Sequence, residues 1–397
     1  MANNEYKKVQ LGPKSETIPK DWDVKKIEEI FELKAGGDVD KEKLSEERDE
    51  EHPYPIYANS LENKGLYGFS SECTYPDDCV TITGRGDLGH AVYRDHKFNA
   101  IVRLIVLIPN QEIDCRFVSA YVNGKVDFPQ ESTGVPQLTR PQVSKSRICV
   151  PPLPEQRRIA DILSTVDEQI QQTDDLIEAT KELKQGLMQN VFNINTTEKT
   201  GKSEILNNVQ KESLGDLVEV VSGVHVKSEH VTDDSSETAY LTGPADFEHR
   251  GFSVTKYTDK TSKFCEPGDT LVTVKGSGCG NSTFATQKAG ISRQLKALRP
   301  GDSLDEHYLY YYLQTKTELL SILAQGTSIP GLSTSDLTTL TIPLPELDAQ
   351  QRIGEIFATI DDQITEERER KQYLKDLKRG LMQDLLTGKR RVDPEKA

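Results

Sequence analysis

The strongest constraint on this chain is a long segment that occurs twice. Residues 152–192 read PLPEQRRIADILSTVDEQIQQTDDLIEATKELKQGLMQNVF, and residues 343–386 read PLPELDAQQRIGEIFATIDDQITEERERKQYLKDLKRGLMQDLL. At an offset of 194 residues, 15 of the 34 positions that start at Gln156 are identical to those that start at Gln350. An internal repeat of this length is a property of the architecture. The fold therefore has to be built from two related halves.

Each copy predicts one long amphipathic helix, because its apolar residues recur three or four positions apart. About 38 residues at ~1.5 Å each give a rod of roughly 55–60 Å, and a narrow apolar stripe makes the other helix the simplest partner. Two unrelated amphipathic helices on separate domains are the alternative. The predicted packing residues are Ile159, Ile162, Val166, Ile170, Ile177, Leu187, Ile353, Ile356, Ile360, Ile364, Leu377 and Leu381.

The remaining sequence predicts two α/β (α+β) domains in tandem, in the order domain, helix, domain, helix. Alternating apolar patterns predict strands at 54–58, 65–69, 79–86, 90–94 and 100–108, and the residues at 117–126 predict a short helix. In the second half, 213–223 matches 26–36 at offset 187, 271–278 matches 79–86 at offset 192, and 307–323 is a stronger helix. The predicted boundaries are 1–151 and 213–342 for the domains, 152–192 and 343–397 for the helices with a tail, and 193–212 for a linker.

The formal charge of −15 is unevenly distributed, which keeps nucleic-acid binding open. Residues 256–299 hold eight Lys and Arg against three acidic residues, and residues 79–147 hold nine basic against six acidic residues. A solvated mixed-charge surface explains these segments equally well. No stretch resembles a transmembrane helix or signal peptide, so we expect a cytoplasmic protein. The six cysteines contain no CxxC pair and the histidines no paired spacing, so we expect reduced thiols and no metal site.

The best candidates for ligand contact are glycine-rich loops that follow strands, because glycine lets a backbone approach a ligand closely. One pair of such loops spans 83–86 and 275–281, and a second pair is GVPQL (134–138) and SIPGL (328–332), which match at offset 194. Arginine and lysine reach guanine edges or phosphates, and asparagine pairs with adenine. The alternatives are turns without a ligand, joins between domain and helix, and a solvated edge strand. The candidate DNA-binding residues are Thr83, Arg85, Gln137, Arg140, Lys275, Ser277, Asn281, Arg293, Lys296, Arg299, Gln325 and Ser328.

Signatures of catalysis are missing from the sequence. It contains no (D/N)PP(Y/F) tetrad for a flipped adenine, no FxGxG-type loop for S-adenosylmethionine and no phosphate loop with GK[ST]. No clustered set of acidic residues with a lysine is typical of a nuclease. We therefore expect a chain without catalytic residues, whose chemistry is supplied by other chains.

Together these features resemble the specificity (S) subunits of type I restriction–modification enzymes, and the resemblance covers essentially the whole chain. It rests on IPKDW at 18–22, on PLPEQ-R-I at 152–159 with its copy at 343–353, on the TGVPQL and TSIPGL loops, and on the helix ends KELKQGLMQ and KDLKRGLMQ. The second half lacks the tryptophan. It also carries a three-residue insertion, Leu347-Asp348-Ala349, which leaves the geometry at the start of the second helix open.

The resemblance implies two target-recognition domains, each reading one half of a split double-stranded DNA sequence, and two long helices packed antiparallel as a spacer. It also implies two methyltransferase (modification) subunits beside this chain, and ATP-driven restriction subunits that complete a host-defence nuclease. S-adenosylmethionine, ATP and Mg would be used by those partner subunits, with no cofactor bound by this chain. The chief alternative is a coiled-coil tether whose globular domains bind protein or glycan, and a third is a standalone nuclease or methyltransferase.

Two similar domains on an antiparallel pair of helices acquire a pseudo-two-fold axis. They would face a duplex as a dimer does, and helix length and register would set the half-site separation. Because the domains differ in sequence, the two half-sites need not be palindromic.

Overall fold

The computed structural model describes residues 5–11, 14–128, 136–192, 209–276, 278–325 and 331–393. They form two compact units, each of which contains part of both long helices. Unit 1 consists of Met1–Thr173 and Arg370–Ala397, and unit 2 consists of Asp174–Glu369. Because this division cuts both helices, the domain boundaries drawn from the sequence stay a prediction.

Unit 1 is built on antiparallel strands with short helices between them. Its largest sheets have the strand orders β4-β11-β8-β9 and β10-β6-β7-β5, in which only β10 and β6 pair in parallel, and β1-β2 and β12-β3 form separate pairs. The strands are β1 (Tyr6–Leu11), β2 (Lys14–Pro19), β3 (Asp23–Lys26), β4 (Phe31–Ala35), β5 (Leu44–Ser45), β6 (Tyr54–Tyr57), β7 (Leu66–Ser70), β8 (Cys79–Ile82), β9 (Ala91–Arg94), β10 (Asn99–Ala100), β11 (Ile105–Pro109) and β12 (Arg147–Val150). The helices are α1 (Ile27–Ile30), α2 (Cys115–Lys125), α3 (Arg140–Ser144) and the long α4 (Leu153–Phe192).

Unit 2 follows the same plan. Its main sheet has the order β14-β22-β19-β20, a smaller sheet has the order β15-β21-β18, and β13-β23 and β16-β17 form pairs. The strands are β13 (Lys211–Ser213), β14 (Val218–Ser222), β15 (Tyr240–Leu241), β16 (Phe247–Glu248), β17 (Gly251–Phe252), β18 (Phe264–Cys265), β19 (Thr270–Thr273), β20 (Ser282–Phe284), β21 (Ala289–Ile291), β22 (Leu295–Pro300) and β23 (Thr341–Pro343). The helices are α5 (Leu214–Leu217), α6 (Glu306–Gln314), α7 (Thr317–Gln325), α8 (Thr334–Thr338) and the long α9 (Leu347–Leu385). The predicted class, two α+β domains with two long repeated helices, is confirmed.

The first elements of the two units repeat at the predicted offset of 187 residues. Helix α1 and strand β4 have the same bounds as α5 and β14 after this shift. A glycine follows each of these strands, Gly36 after β4 and Gly223 after β14, and close contacts explain why both copies keep it. A Cβ on Gly36 would lie 2.6 Å from the carbonyl oxygen of Ala100, and Gly223 is held against the backbone of Ile291 and Ser292 in the same way. No other residue type fits at either position.

The glycine loops after β8 and β19 align at offset 190, so the predicted offset of 192 is wrong. The amide of Thr83 donates to the carbonyl of His90 (3.0 Å), and the amide of Thr273 donates to that of Asn281 (2.8 Å). Thr83 therefore corresponds to Thr273, which the sequence had paired with Thr81. A shift of two residues leaves the inward and outward alternation of a strand unchanged, so the apolar pattern cannot detect it.

Two predicted elements are interrupted. The apolar run 100–108 is not one strand: β10 ends at Ala100, and a turn through Val102 and Arg103 separates it from β11. The helix predicted at 307–323 is divided into α6 and α7, because the amide of Thr315 turns back to the carbonyl of Tyr312 (3.0 Å). The short helix predicted at 117–126 is confirmed as α2.

The core of unit 2 is organised by a run of tyrosines on α6. Tyr308, Tyr310, Tyr311 and Tyr312 are each at most 1% exposed. A buried phenol needs a hydrogen-bond partner, and each hydroxyl has one: Tyr308 donates to the carbonyl of Pro343 (2.8 Å), and the other three donate to His249, Asp361 and Thr341. Because these partners come from several elements, the tyrosines tie the β16–β17 turn, β23 and α9 to one helix.

The predicted long helices are confirmed as α4 and α9, and their inner positions follow a heptad pattern. Steps of four and three residues alternate, which is the period of a left-handed coiled coil. The buried and half-buried positions include Ile159, Leu163, Val166, Ile170, Thr173 and Ile177 in α4 and Ile353, Phe357, Ile360, Ile364, Glu367, Lys371, Leu374 and Lys378 in α9.

Two of the predicted packing residues are wrong. Ile356 is 55% exposed and Leu377 is 39% exposed, because the seam passes through the next residue in each case, Phe357 and Lys378. The structure places the remaining predicted positions at buried or half-buried sites, namely Ile159, Ile162, Val166, Ile170, Ile177, Leu187, Ile353, Ile360, Ile364 and Leu381.

Within each unit the two helices run antiparallel. In unit 1 the first half of α4 lies against the end of α9, where Asp167 forms an ion pair with Lys378 (2.6 Å). In unit 2 the end of α4 lies against the start of α9, where the rings of Phe192 and Phe357 stack with centroids 6.2 Å apart. The same antiparallel contact is therefore present in both units.

Both long helices start in the same way, so the inferred three-residue insertion is wrong. The side-chain oxygen of Gln156 accepts from the amide of Asp114 (3.0 Å), and its nitrogen donates to the carbonyl of Pro151 (2.8 Å). Gln350 makes the same bonds to the amide of Asp305 (2.9 Å) and the carbonyl of Pro345 (2.8 Å). The offset of 194 residues therefore holds through the start of both helices. The apparent insertion arose because the letters PLPE at 152–155 were matched to PLPE at 343–346, which is an offset of 191.

Candidate nucleic-acid interface

In unit 1 the two predicted contact loops lie side by side. Arg85 and Gln137 form an antiparallel bridge. The amide of Leu138 donates to the carbonyl of Gly84 (2.9 Å). The Arg85 side chain is exposed and Gln137 is half-buried. A glycine turn and a proline-containing loop, separated by about fifty residues in the chain, thus present their polar groups on one surface.

Unit 2 repeats this junction with different side chains. Lys275 bridges to Gly331, and the amide of Leu332 donates to the carbonyl of Val274 (2.8 Å). The Lys275 side chain is exposed. Both glycine turns depend on a left-handed residue after the basic one, since Gly86 has φ 69° and Gly276 has φ 92°.

Two further predicted residues are placed at exposed positions suited to contact. Arg140 begins α3, directly after the loop of unit 1, and Arg293 lies in the turn before β22. Within the described ranges, neither guanidinium has an acidic partner. Exposed, uncommitted guanidinium groups are what phosphate or base contacts require.

Three predicted residues are instead committed to their own unit. The hydroxyl of Thr83 is buried, donates to the carbonyl of Asp87 and accepts from the amide of His90. Arg299 binds the buried carboxylate of Asp269 through two nitrogens (2.9 and 3.0 Å). The polar groups of Thr83 and Arg299 are therefore committed to contacts within their own units.

The third committed residue is Lys296. Its ammonium donates to the hydroxyls of Ser222 (2.8 Å) and Thr334 (2.6 Å). Burial and the nearby charge of Lys275 lower its pKa. The lysine joins β22 to β14 and α8, and it is only half-exposed.

The remaining predicted residues lie away from the bridge or beyond the described ranges. Asn281 is exposed but borders a cavity beside α4, and Gln325 is the exposed last residue of α7. Ser277 and Ser328 lie outside the residues that the structure describes.

The cavity beside Asn281 has a counterpart in unit 1. In unit 2 it has a volume of about 810 Å³, and in unit 1 of about 580 Å³. At offset 194 the helix residues that line them are the same positions: Lys181, Lys184, Gln185, Met188 and Gln189 in unit 2, and Lys375, Lys378, Arg379, Met382 and Gln383 in unit 1. The junction between domain and helix is therefore duplicated together with the contact loops.

Lys184, which lines the unit 2 cavity, belongs to a buried charge pair. The ammonium of Lys184 is 2.7 Å from a carboxylate oxygen of Asp361, whose other oxygen accepts from the hydroxyl of Tyr311 (2.8 Å). Burial lowers the pKa of Lys184, although the carboxylate opposes this shift. His249 lies 3.6 Å from the same carboxylate, and burial lowers its pKa as well. This cluster fixes the register of α4 and α9 in unit 2.

The sequence interpretation missed the residues that lock the helix starts. In unit 1 the buried carboxylate of Glu155 accepts from the indole nitrogen of Trp22 (3.0 Å) and from Arg391 (2.7 and 2.8 Å). Trp22 is fully buried. The sequence did offer a signal for the hydrogen bonds that Gln156 and Gln350 make at the helix starts, because the glutamine is identical in the two copies of the repeat.

Among the described residues, no helix has the length and apolarity to cross a membrane. In the same part of the chain, no group of three or more His, Cys, Asp or Glu side chains is placed to hold a metal ion.

Comparison with known proteins gives a consistent result. The model of the type I restriction modification DNA specificity domain matches this chain twice, at residues 19–182 and 207–376. A putative type I restriction enzyme specificity subunit, MjaX, from Methanocaldococcus jannaschii is 24% identical, over 98% of this chain and 97% of its own length. The MjaVIII specificity subunit from the same organism is 23% identical, over 94% of each chain.

The fold agrees with these matches. The crystal structure of the type I restriction-modification S subunit from M. genitalium superposes with a TM-score of 0.68, at 17% identity, over 95% of this chain and 98% of the other. The two family matches cover most of the chain and fall one on each half of the repeat. The chain therefore belongs to the family of type I restriction–modification DNA specificity subunits.

Proposed function

We propose that this chain is the non-catalytic targeting subunit of a type I restriction–modification complex, and that each unit reads one half of a bipartite double-stranded DNA target. The helical pair sets the distance between the half-sites and binds the methyltransferase subunits. Methyl transfer with S-adenosylmethionine, and cleavage driven by ATP and Mg, are carried out by the partner subunits in the cytoplasm.

The observation that carries this proposal is the duplicated loop junction with unlike side chains. Unit 1 presents Arg85 beside Gln137, and unit 2 presents Lys275 beside Gly331, on the same backbone arrangement. Base edges are distinguished by the donors and acceptors that face them. Two equivalent scaffolds with different polar groups suit two different half-sites.

The outer faces of the long helices support docking of two copies of one partner. Leu183 is 58% exposed and Leu377, its repeat counterpart, is 39% exposed. One turn further, Gly186 and Gly380 have open space where a Cβ would project, as far as the described residues show. An apolar residue beside a side-chain-free position is suited to a helix that packs closely. Equivalent surfaces on the two copies provide for two methyltransferase subunits.

The proposal is tested by selection from a random duplex library with the full-length chain assembled with its methyltransferase subunits. We expect one enriched motif made of two conserved parts and a gap of fixed length. A motif with a single uninterrupted part, or no enrichment, would contradict the proposal. The second outcome would favour the protein- or glycan-binding tether.

The spacing role has its own test. One heptad inserted at equivalent points of α4 and α9 lengthens the helical pair by roughly 10 Å, because each residue adds ~1.5 Å. We expect the gap in the selected motif to grow by about three base pairs, with the half-site letters unchanged. A change in the recognised bases at an unchanged gap would contradict the proposal that the helical pair sets the distance between the half-sites.

A further inference from the structure

The turn that interrupts the predicted strand 100–108 is strained. Val102 has φ 52° and Arg103 has φ 60°, although neither is glycine. Left-handed backbone is unfavourable for any L-residue with a Cβ, and most of all for a β-branched one such as valine. Both side chains are exposed, so packing of the side chains does not impose this conformation.

The surroundings hold the turn in place. The amide of Val102 donates to the carbonyl of Gly37 (2.9 Å), and that of Arg103 donates to the carbonyl of Gly36 (3.0 Å). The side-chain amide of Asn59 donates to the carbonyl of Val102 (2.6 Å). Strained backbone fixed by several independent bonds is concentrated at functional sites, where position matters more than stability.

The turn touches the loop junction of unit 1. The side-chain oxygen of Asn59 accepts from the amide of Gly84 (2.7 Å), so one asparagine ties both loops together. A Cβ on Gly84 would lie 3.0 Å from the carbonyl oxygen of Leu138 and 3.4 Å from that of Arg103. Three loops therefore converge at Gly84, and Arg85 is the next residue along the chain.

Unit 2 has a loop at the equivalent position, although neither Arg293 nor Gln294 has left-handed backbone. The amide of Leu295 donates to the carbonyl of Ser292 (2.9 Å), and in unit 1 the amide of Leu104 donates to the carbonyl of Ile101 (3.1 Å). Because these two bonds are equivalent, Gln294 occupies the position of Arg103. The carbonyl of Gln294 accepts from the amide of Val274 (2.7 Å), the counterpart of Gly84. The Gln294 side chain is exposed. It lies over Gly243, where a Cβ would be 2.8 Å from its amide oxygen.

We propose that Arg103 and Gln294 are specificity-determining residues, each contacting one base edge in its own half-site; this inference rests on the proposed function. Arginine matches the two acceptors of guanine, and glutamine matches the acceptor and donor of adenine. Within the described ranges no carboxylate pairs with Arg103. A rigid backbone suits base contact, because a base edge requires fixed geometry, whereas a phosphate accepts a flexible cation.

The test is selection from a random duplex library with the full-length chain in its complex, for wild type, Arg103→Ala, Arg103→Lys and Arg103→Gln. Arg48→Ala, which changes an exposed arginine between β5 and β6 of the same unit, is the matched control. We expect Arg103→Ala to lower affinity for the selected motif roughly ten- to hundredfold and to lose one guanine in one half-site. Arg103→Lys should keep binding to random duplex but lose most of that preference.

The decisive variant is Arg103→Gln, which introduces the residue of unit 2. It should replace guanine by adenine at a single position of one half-site and leave the other half-site unchanged. A wild-type motif retained by all three variants overturns this inference while leaving the proposed function intact. Equal loss on every duplex indicates a phosphate contact and also overturns it, and a wild type without any motif overturns both proposals.

Discussion

Lys184 pairs with Asp361 in unit 2, and the repeat-equivalent Lys378 pairs with Asp167 in unit 1, at nearly the same distance. Their environments differ. The side chains of the first pair are 10% and 1% exposed, and those of the second are 29% and 53% exposed. The hydroxyl of Tyr311 on α6 donates to Asp361, whereas the equivalent residue on α2 is Ala120, which has no hydroxyl. The same ion pair between the helices is therefore present in both units. The residues of the neighbouring domain determine whether the pair is buried or exposed to solvent.

The largest expected effect tests this difference in burial. Lys184→Ala leaves the carboxylate of Asp361 buried without its cation, which should lower the free energy of unfolding by about 3–5 kcal/mol. Lys378→Ala removes a solvent-screened pair and should lower it by less than about 1 kcal/mol. Denaturant unfolding followed by far-ultraviolet circular dichroism measures both.

A second variant distinguishes two contributions to this loss of stability: the lost ion pair itself, and the cost of leaving the Asp361 carboxylate buried without a cation. Lys184→Met combined with Asp361→Leu removes both charges and should recover much of the stability lost in Lys184→Ala. Equal losses for Lys184→Ala and Lys378→Ala would show that burial does not control the two pairs.

The next effect should be similar in the two units, because both glutamines make the same two hydrogen bonds; Gln350 donates in addition to the carbonyl of Ser303 (3.0 Å). Gln156→Leu and Gln350→Leu each leave an amide of the preceding helix cap and a proline carbonyl unsatisfied. We expect a loss of about 1–3 kcal/mol for each variant in the same unfolding experiment. A large effect at Gln156 with none at Gln350 would mean that the second helix start is held by other contacts.

The smallest effect concerns pH and one histidine in each unit. Partial desolvation at the unit 1 cavity lowers the pKa of His90, and burial lowers the pKa of His249, in both cases from the usual value of 6.5. Between the lowered pKa and about 6.5 the unfolded chain binds more protons than the folded chain, so stability falls as pH drops through this window. His90→Asn and His249→Asn should each flatten the dependence of the unfolding free energy on pH between 5 and 7. An unchanged slope in the double variant would contradict this assignment.

The sequence predicted the architecture because the repeat is long and its helices are strongly periodic. It did not predict the exposure of Ile356, since a residue three positions from Ile353 fits a helical stripe as well as Phe357, four positions away. Only the partner helix selects between them. The period of 3.5 residues became visible once burial was known.

The candidate site was predicted less completely. The sequence indicated Arg85 and Lys275 from glycine spacing, but a two-residue shift between the copies was invisible to strand alternation. The turn at Arg103 could not be predicted, because valine and arginine do not normally adopt left-handed backbone. Long-range hydrogen bonds hold that turn: the Asn59 side chain donates to Val102, and the amide of Arg103 donates to the carbonyl of Gly36. These bonds have no local signature in the sequence.

The central claim is that each unit reads its own half of the target. Arg85→Ala and Lys275→Ala, tested separately by duplex selection with the assembled full-length chain, measure it most directly. We predict that Arg85→Ala relaxes one half-site and Lys275→Ala the other, each with a loss of about 1–3 kcal/mol in binding. Relaxation of both half-sites by either single variant would contradict it.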